Sequence, residues 1–182
     1  MATFFTIGHS NRSVDELAAL LGDAHVQHLV DVRAFPRSYT HPQFNEDVLP
    51  RELAPVGISY EHMASLGGRR GRSKQVPAEI NGFWSNRSFH NYADYALSDE
   101  FRAGLACLVG LGRMRSCAIM CSEAVWWRCH RRIITDYLIA RDETVWHILG
   151  RGQIAEGRLT DGAVIQRDGT INYPSVPALP EA

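Results

Sequence analysis

The side chains most able to do chemistry sit together in Ser116–Arg132, SCAIMCSEAVWWRCHRR. An apolar run, Cys117–Met120, leads into a thiol (Cys121), a carboxylate (Glu123), Trp126, Trp127, Arg128, a second thiol (Cys129), His130 and Arg131. Such a run reads as a buried strand whose end presents reactive groups. A helix is expected after it, opening around Trp126–Arg128 and continuing to about Ala140.

Two chemistries suit this turn. At a strand-to-helix turn, amide N–H groups and the helix dipole lower the pKa of a thiol, which would make Cys121 a nucleophile, although Glu123 nearby opposes that. A carboxylate beside Trp126 and Trp127 would be partly desolvated, which would fit Glu123 for general acid–base work. Asp31, at the end of another apolar run (His28–Val32), would be the second carboxylate. Two carboxylates at one sheet edge suit hydrolysis of a glycosidic or N-glycosidic bond, with His9 assisting. The competing structural reading pairs Asp31 with Arg33 and Glu123 with Arg128 in plain salt bridges.

The basic residues have an unusual character. Lys74 is the single lysine among 19 basic residues. Arginine forks bind phosphate and carboxylate in bidentate fashion. Arg33, Arg37, Arg69, Arg128 and Arg131, with Phe35, Phe44 and Trp127 as stacking faces, would hold a nucleotide or an extruded base. Ser10, Asn45, Gly67, Gly68 and His130 fall on the same loops. A metal is not expected: there is no CxxC pair or HExxH, and adjacent Cys129 and His130 would diverge on a helix. No cofactor is implied.

The elements that would position these groups alternate. Thr3–Ile7 reads as a strand, and Ser13 with Glu16 forms a capping box for the helix that follows. His28–Val32 is a second strand, followed by an aromatic and basic loop through Phe44. Asn45 would cap a short helix ending near Pro55, and Ile58–His62 would be a third strand. Residues 75–97 suggest a lid or an inserted helix. Ser98 caps a helix to about Gly112, and strands at Cys117–Met120 and Thr144–Leu149 complete the core. Asp161-Gly162 and Asp168-Gly169 suggest a terminal hairpin, and a loose tail would begin at Pro174. The expectation is one Rossmann-like, three-layer α/β sandwich with a mostly parallel sheet of about five strands. Its core would span about 3–150, with 151–182 as an extension. In such folds ligands sit beyond the carboxyl ends of the strands. His9, Asp31, the Gly67-Gly68 pair and Cys121 all fall near those ends.

The 182 residues, 45% hydrophobic, suit one domain with a sizeable core. A net charge of −1 gives no overall pull toward nucleic acid or membrane. Four cysteines without a leader-like N-terminus point to a reducing, cytoplasmic setting. No apolar run approaches a membrane span.

In order along the chain, Thr6–Ser10, Val30–Arg33 with Phe35–Ser38, Pro42–Asn45, Leu66–Arg69, Tyr92–Tyr95, Met120–Glu123 and Trp127–Arg131 resemble the bacterial and archaeal "domain of unknown function 488" family. The resemblance implies a shared α/β fold and a shared site, and names no reaction. The first functional expectation is therefore an enzyme acting on a nucleotide, nucleoside or nucleic-acid base. Glu123 and Asp31 would be its acid–base groups, with the arginines holding phosphate. One alternative is a cysteine-dependent sulfur, phosphoryl or redox enzyme using Cys121. The other is a non-catalytic nucleic-acid module using Arg69–Lys74. The partner would be an anionic small molecule or nucleic acid; oligomeric state is left open.

Overall fold

The computed structural model describes residues 1–175. Five parallel strands form one sheet: β1 (Thr3–Gly8), β2 (His28–Asp31), β3 (Ser59–His62), β4 (Cys117–Cys121) and β5 (Thr144–Gly150). A sixth, β6 (Gln153–Glu156), pairs antiparallel with β5, and the order is β3-β2-β4-β1-β5-β6. β2 and β4 are buried at every position. That is why β4 (CAIMC) is continuously apolar and does not alternate, while β2 (HLVD) sets apolar Leu29 and Val30 between buried His28 and Asp31. Edge strand β3 alternates between exposed and half-buried residues.

Helices cover both faces. α1 (Val14–Asp23) and α2 (Leu49–Leu53) set Leu17, Leu21, Leu49 and Leu53 against Ile7, Leu29, Ala118 and Met120. On the other face lie α3 (Arg87–Tyr95), α4 (Asp99–Met114) and α5 (Arg131–Ile139), whose Tyr92, Phe101, Leu105 and Ile134 pack with Phe4, Val30 and Ile119. The period of two along β4 puts Cys117, Ile119 and Cys121 on the α3–α5 side and Ala118 and Met120 on the other. Layers and sheet are as the alternation of elements implies.

Several local expectations change. The Ser13 hydroxyl accepts from the Glu16 amide at 3.1 Å, but the Glu16 carboxylate turns to Arg12 at 3.2 Å and does not close the capping box. Asn45 ends a 3₁₀ turn, Pro42–Phe44, and is not the cap of α2, whose N-cap is Val48. The helix expected from Trp126 is a single 3₁₀ turn, Trp126–Arg128, followed by extended Cys129 (φ −128°, ψ 150°) and then α5. Trp126 lies flat on the buried ring of His147 (4.0 Å, 8°), which pins the turn to β5 before a helix can start.

Residues 75–97 include the inserted helix expected there and are anchored in the core. They form a 3₁₀ turn, Ala78–Asn81, and α3, and they bury Trp84, Tyr92 and Ala93. Trp84 stacks on Phe89 (4.8 Å, 13°) and tilts against Tyr173 (5.2 Å). The terminal hairpin is present as β7 (Val164–Ile165) and β8 (Ile171–Asn172). Beyond Ser175 the tail expected from Pro174 lies outside the described residues. Cys117 is buried as a core residue, whereas Cys107, on α4, is exposed. Among the described residues no helix is long and apolar enough to cross a membrane.

Candidate functional site

β1, β2 and β4 end at one level, because Gly8 pairs with Cys121 and Asp31 with Met120. The ladder continues past the strands: His9 N–H donates to the Cys121 carbonyl (2.9 Å), Ser10 N–H to Ser122 (3.0 Å) and Val32 N–H to Met120 (2.9 Å). Gly8 is required for this approach, since a Cβ there would lie 2.0 Å from the Glu123 carbonyl oxygen. The loops after these strands therefore meet at one sheet edge. A cleft of about 350 Å³ opens there, lined by His9, Arg33, Phe35, Arg37, Gly68, Arg69, Cys121 and His130. A hollow of about 180 Å³ adjoins it. Both are lined by Arg69, Cys121 and His130; the hollow adds Glu123, Arg128 and Cys129.

The first cluster is Asp31, Arg33 and His9, all buried. Both carboxylate oxygens of Asp31 are occupied. Oδ1 accepts from the Arg33 amide and Nε (3.0 Å each), and Oδ2 from Arg33 Nη2 (2.6 Å) and the Tyr60 hydroxyl (2.7 Å). Arg33 also donates to the Phe44 carbonyl (2.6 Å). His9 Nδ1 faces the Ser10 carbonyl at 2.9 Å, so it carries the proton. That leaves Nε2 to accept from Arg33 Nη1 (3.3 Å). Burial, opposed by the Ser10 hydrogen bond and reinforced by the Arg33 charge, brings the His9 pKa down to about 4. Neutral His9 stacks on Phe44 (4.3 Å) and has no lone pair left to take a proton. The expected roles of Asp31 as second catalytic carboxylate and of His9 as its assistant are therefore not what these contacts arrange. Asp31 is the salt-bridge partner of Arg33.

The second cluster is Cys121, Cys129 and His130. Their ligand-type atoms all lie within 4.8 Å of one another. His130 Nε2 donates to the Val32 carbonyl (2.9 Å), which turns the Nδ1 lone pair to Cys129 Sγ at 3.5 Å. Gly68 makes room for the ring, since a Cβ there would lie 2.8 Å from His130 Nδ1. Arg131, 1% exposed, donates from Nε to Cys129 Sγ (3.4 Å) and from Nη2 to the Glu123 carbonyl. Among the described residues it has no carboxylate partner. A buried guanidinium needs an anion, and the one within its reach is the Cys129 thiolate. Burial raises the Cys129 pKa, but the hydrogen bond from Cys121 and the charge of Arg131 outweigh it and bring it down to about 6. Cys121 moves the other way, to about 12, because it keeps the proton of its hydrogen bond to Cys129 and is buried.

The other expected residues divide. Glu123 lies on the hollow but is exposed, not enclosed by Trp126 and Trp127. Arg128 is exposed, and it makes no salt bridge with Glu123. Arg69 is exposed in a left-handed backbone conformation (φ 56°), 5.9 Å from the Phe35 ring. Ser10, beside the cleft, is also left-handed (φ 47°). Such strain costs about 1–3 kcal/mol and clusters at binding sites. Arg37 pairs with Glu46 at 3.0 Å on the rim. Phe44 lies under His9, and Asn45 Oδ1 holds the Ser38 amide (2.6 Å), which shapes the loop. Gly67 packs by Ala34, and Trp127 is exposed outside both cavities. Cys129 was missing from the expected site. Its one signal in sequence was its place before His130 and Arg131; reading the segment as helix hid it.

With this geometry in view, a family comparison gives a match over residues 13–138 to Domain of unknown function DUF488. The chain belongs to this family. The matched stretch runs from α1 to α5 and carries Asp31, Arg33, Gly68, Arg69, Cys121, Cys129 and His130. No curated protein and no solved structure matches the chain. Family membership supplies no reaction.

Proposed function

We propose that the protein is an enzyme acting on a nucleotide, nucleoside or nucleic-acid base, with Cys121, Cys129 and His130 as its reactive centre. One observation carries this reading. The exposed guanidinium groups of Arg69 and Arg128, with no hydrogen-bond or ion-pair partner among the described residues, flank the hollow into which Cys121 and Cys129 open. Two such forks recognise phosphate oxygens. Phe35, 67% exposed beside Arg69 on the cleft, offers a face for a base. Glu123 is the free carboxylate at the rim and takes the proton-transfer role. The chemistry thus moves from a carboxylate pair to the thiol–imidazole cluster, and Arg33 moves from phosphate binder to partner of Asp31.

The test is a thermal-shift series with mononucleotides, the matching nucleosides and inorganic phosphate. A ligand at about 100 times its Kd stabilises the fold by about 2.7 kcal/mol. Nucleotides should shift the midpoint more than nucleosides. Arg69→Ala with Arg128→Ala should remove the difference, and Glu123→Gln should keep it. If no phosphate-bearing ligand shifts the midpoint, or the double arginine variant binds as well as the parent, the proposal fails.

A further inference from the structure

The geometry points to a metal site at the junction of the cleft and the hollow. We propose that Cys121 Sγ, Cys129 Sγ and His130 Nδ1 bind one soft divalent cation, of which zinc is the best fit, and leave its fourth position open toward Glu123. The inference deepens the reading of that centre given above and rests on it only for the identity of the substrate.

Four observations carry it. Three ligand atoms of the right softness converge within 4.8 Å. A tetrahedral zinc site with metal–sulfur bonds of about 2.3 Å has ligand–ligand edges of roughly 3.8 Å, and Cys129 Sγ and His130 Nδ1 already stand at 3.5 Å. With every pair within 4.8 Å, small side-chain shifts complete the three corners. Second, the far nitrogen of His130 donates to the Val32 carbonyl. Metal-binding imidazoles are commonly oriented in this way, because it fixes the tautomer and aims the lone pair. Third, Gly68 leaves the ring its space, with no room for a Cβ. Fourth, the fully buried Arg131 donates to the Cys129 sulfur and has no carboxylate among the described residues. Its guanidinium charge lies directly against that sulfur, where it would complement the thiolate a metal requires.

The charge balance fits the surroundings. A divalent cation with two thiolates and a neutral imidazole is neutral, so Arg131 leaves one net positive charge at the junction. An anionic ligand entering between Arg69 and Arg128 would meet it. Three protein ligands with one open position is the pattern of catalytic rather than structural zinc. The extended backbone at Cys129 makes the site possible, since it cancels the divergence that adjacent residues have on a helix.

The test uses the full chain carrying Cys107→Ser, which removes the exposed thiol, reduced and stripped of metal, and titrated with cobalt(II) alone. Thiolate-to-cobalt charge transfer and the visible bands of a tetrahedral site should appear and saturate near about one equivalent, and zinc should bleach them. Cys129→Ser and His130→Gln, checked for folding by circular dichroism, should weaken cobalt binding by about 100-fold or more. The absence of a charge-transfer band in the folded parent chain would overturn the site, as would an unchanged band in Cys129→Ser. The nucleotide thermal shift needs no metal, so a chain that binds nucleotide without binding cobalt refutes the metal and leaves the ligand reading intact.

Discussion

Replacing Asp31 by Asn separates a structural carboxylate from a catalytic one. Asp31 is fully buried and accepts from three groups of Arg33 and from Tyr60. The asparagine keeps the shape and one acceptor but removes the charge. Arg33, 5% exposed, is then a buried cation facing only neutral groups, the asparagine oxygen, the Phe44 carbonyl and His9. Removing one partner of a buried pair costs about 3–5 kcal/mol. For a chain of this length each kcal/mol moves the midpoint by about 2–4 °C, so the loss is about 6–20 °C. The assay is urea denaturation of Asp31→Asn, Arg33→Met and the double variant. Both single variants should fall in that range, and the double variant should recover much of the loss, because it leaves no unpaired charge. The reasoning is refuted if Asp31→Asn unfolds within about 1 kcal/mol of the parent, or if the two losses simply add. Retained stability combined with abolished turnover would return Asp31 to a catalytic role.

Gly68→Ala should leave the secondary structure intact, but it pushes a methyl into the His130 ring, 2.8 Å from Nδ1. Cobalt affinity should drop by about 10-fold or more, read by absorbance. Asp136 is fully buried, accepts from the Thr160 amide (2.8 Å) and the Tyr173 hydroxyl (2.8 Å), and has its pKa pushed up by burial from 3.8 to about 6. Its folded form binds the proton more tightly than its unfolded form. Its contribution to stability is therefore fullest below about pH 4 and falls as pH rises toward 6, by about 3 kcal/mol at most. Asp136→Asn should flatten denaturation midpoints over that window, and an unchanged pH slope would count against it. Trp84, 7% exposed and stacked on Phe89, ties residues 75–97 into the core. Trp84→Ala should cost about 3–5 kcal/mol, and native-state proteolysis should leave this segment uncut; early cleavage within it would make it a lid.

The sequence by itself determined the layers and the edge at which the site forms. β4 could be read because a strand buried on both faces is continuously apolar, and β2 from the apolar Leu29-Val30 pair at its centre. α1 and α4 could be read because Ser13 and Ser98 accept from amides three residues on, as such caps do. Once those strands were parallel, His9, Asp31 and Cys121 had to end together, and they line or support one cleft. Which of these groups stays reactive was not written locally. Asp31 has the same composition around it whether it pairs with Arg33 or faces a substrate, and only burial with Tyr60, from a strand 29 residues away, decided that it is occupied. Glu123 follows the same logic in reverse, since its neighbours Trp126 and Trp127 pack on His147 and on solvent and leave it exposed. The Cys121, Cys129 and His130 cluster depends on the backbone leaving the helical path at Cys129, on the distant carbonyl of Val32 and on the missing Cβ of Gly68. Local sequence sets propensity over a few residues. Bringing a thiol from a strand, a second from a turn and an imidazole from a helix cap within 4.8 Å requires the packed sheet edge, and only the tertiary structure supplies it.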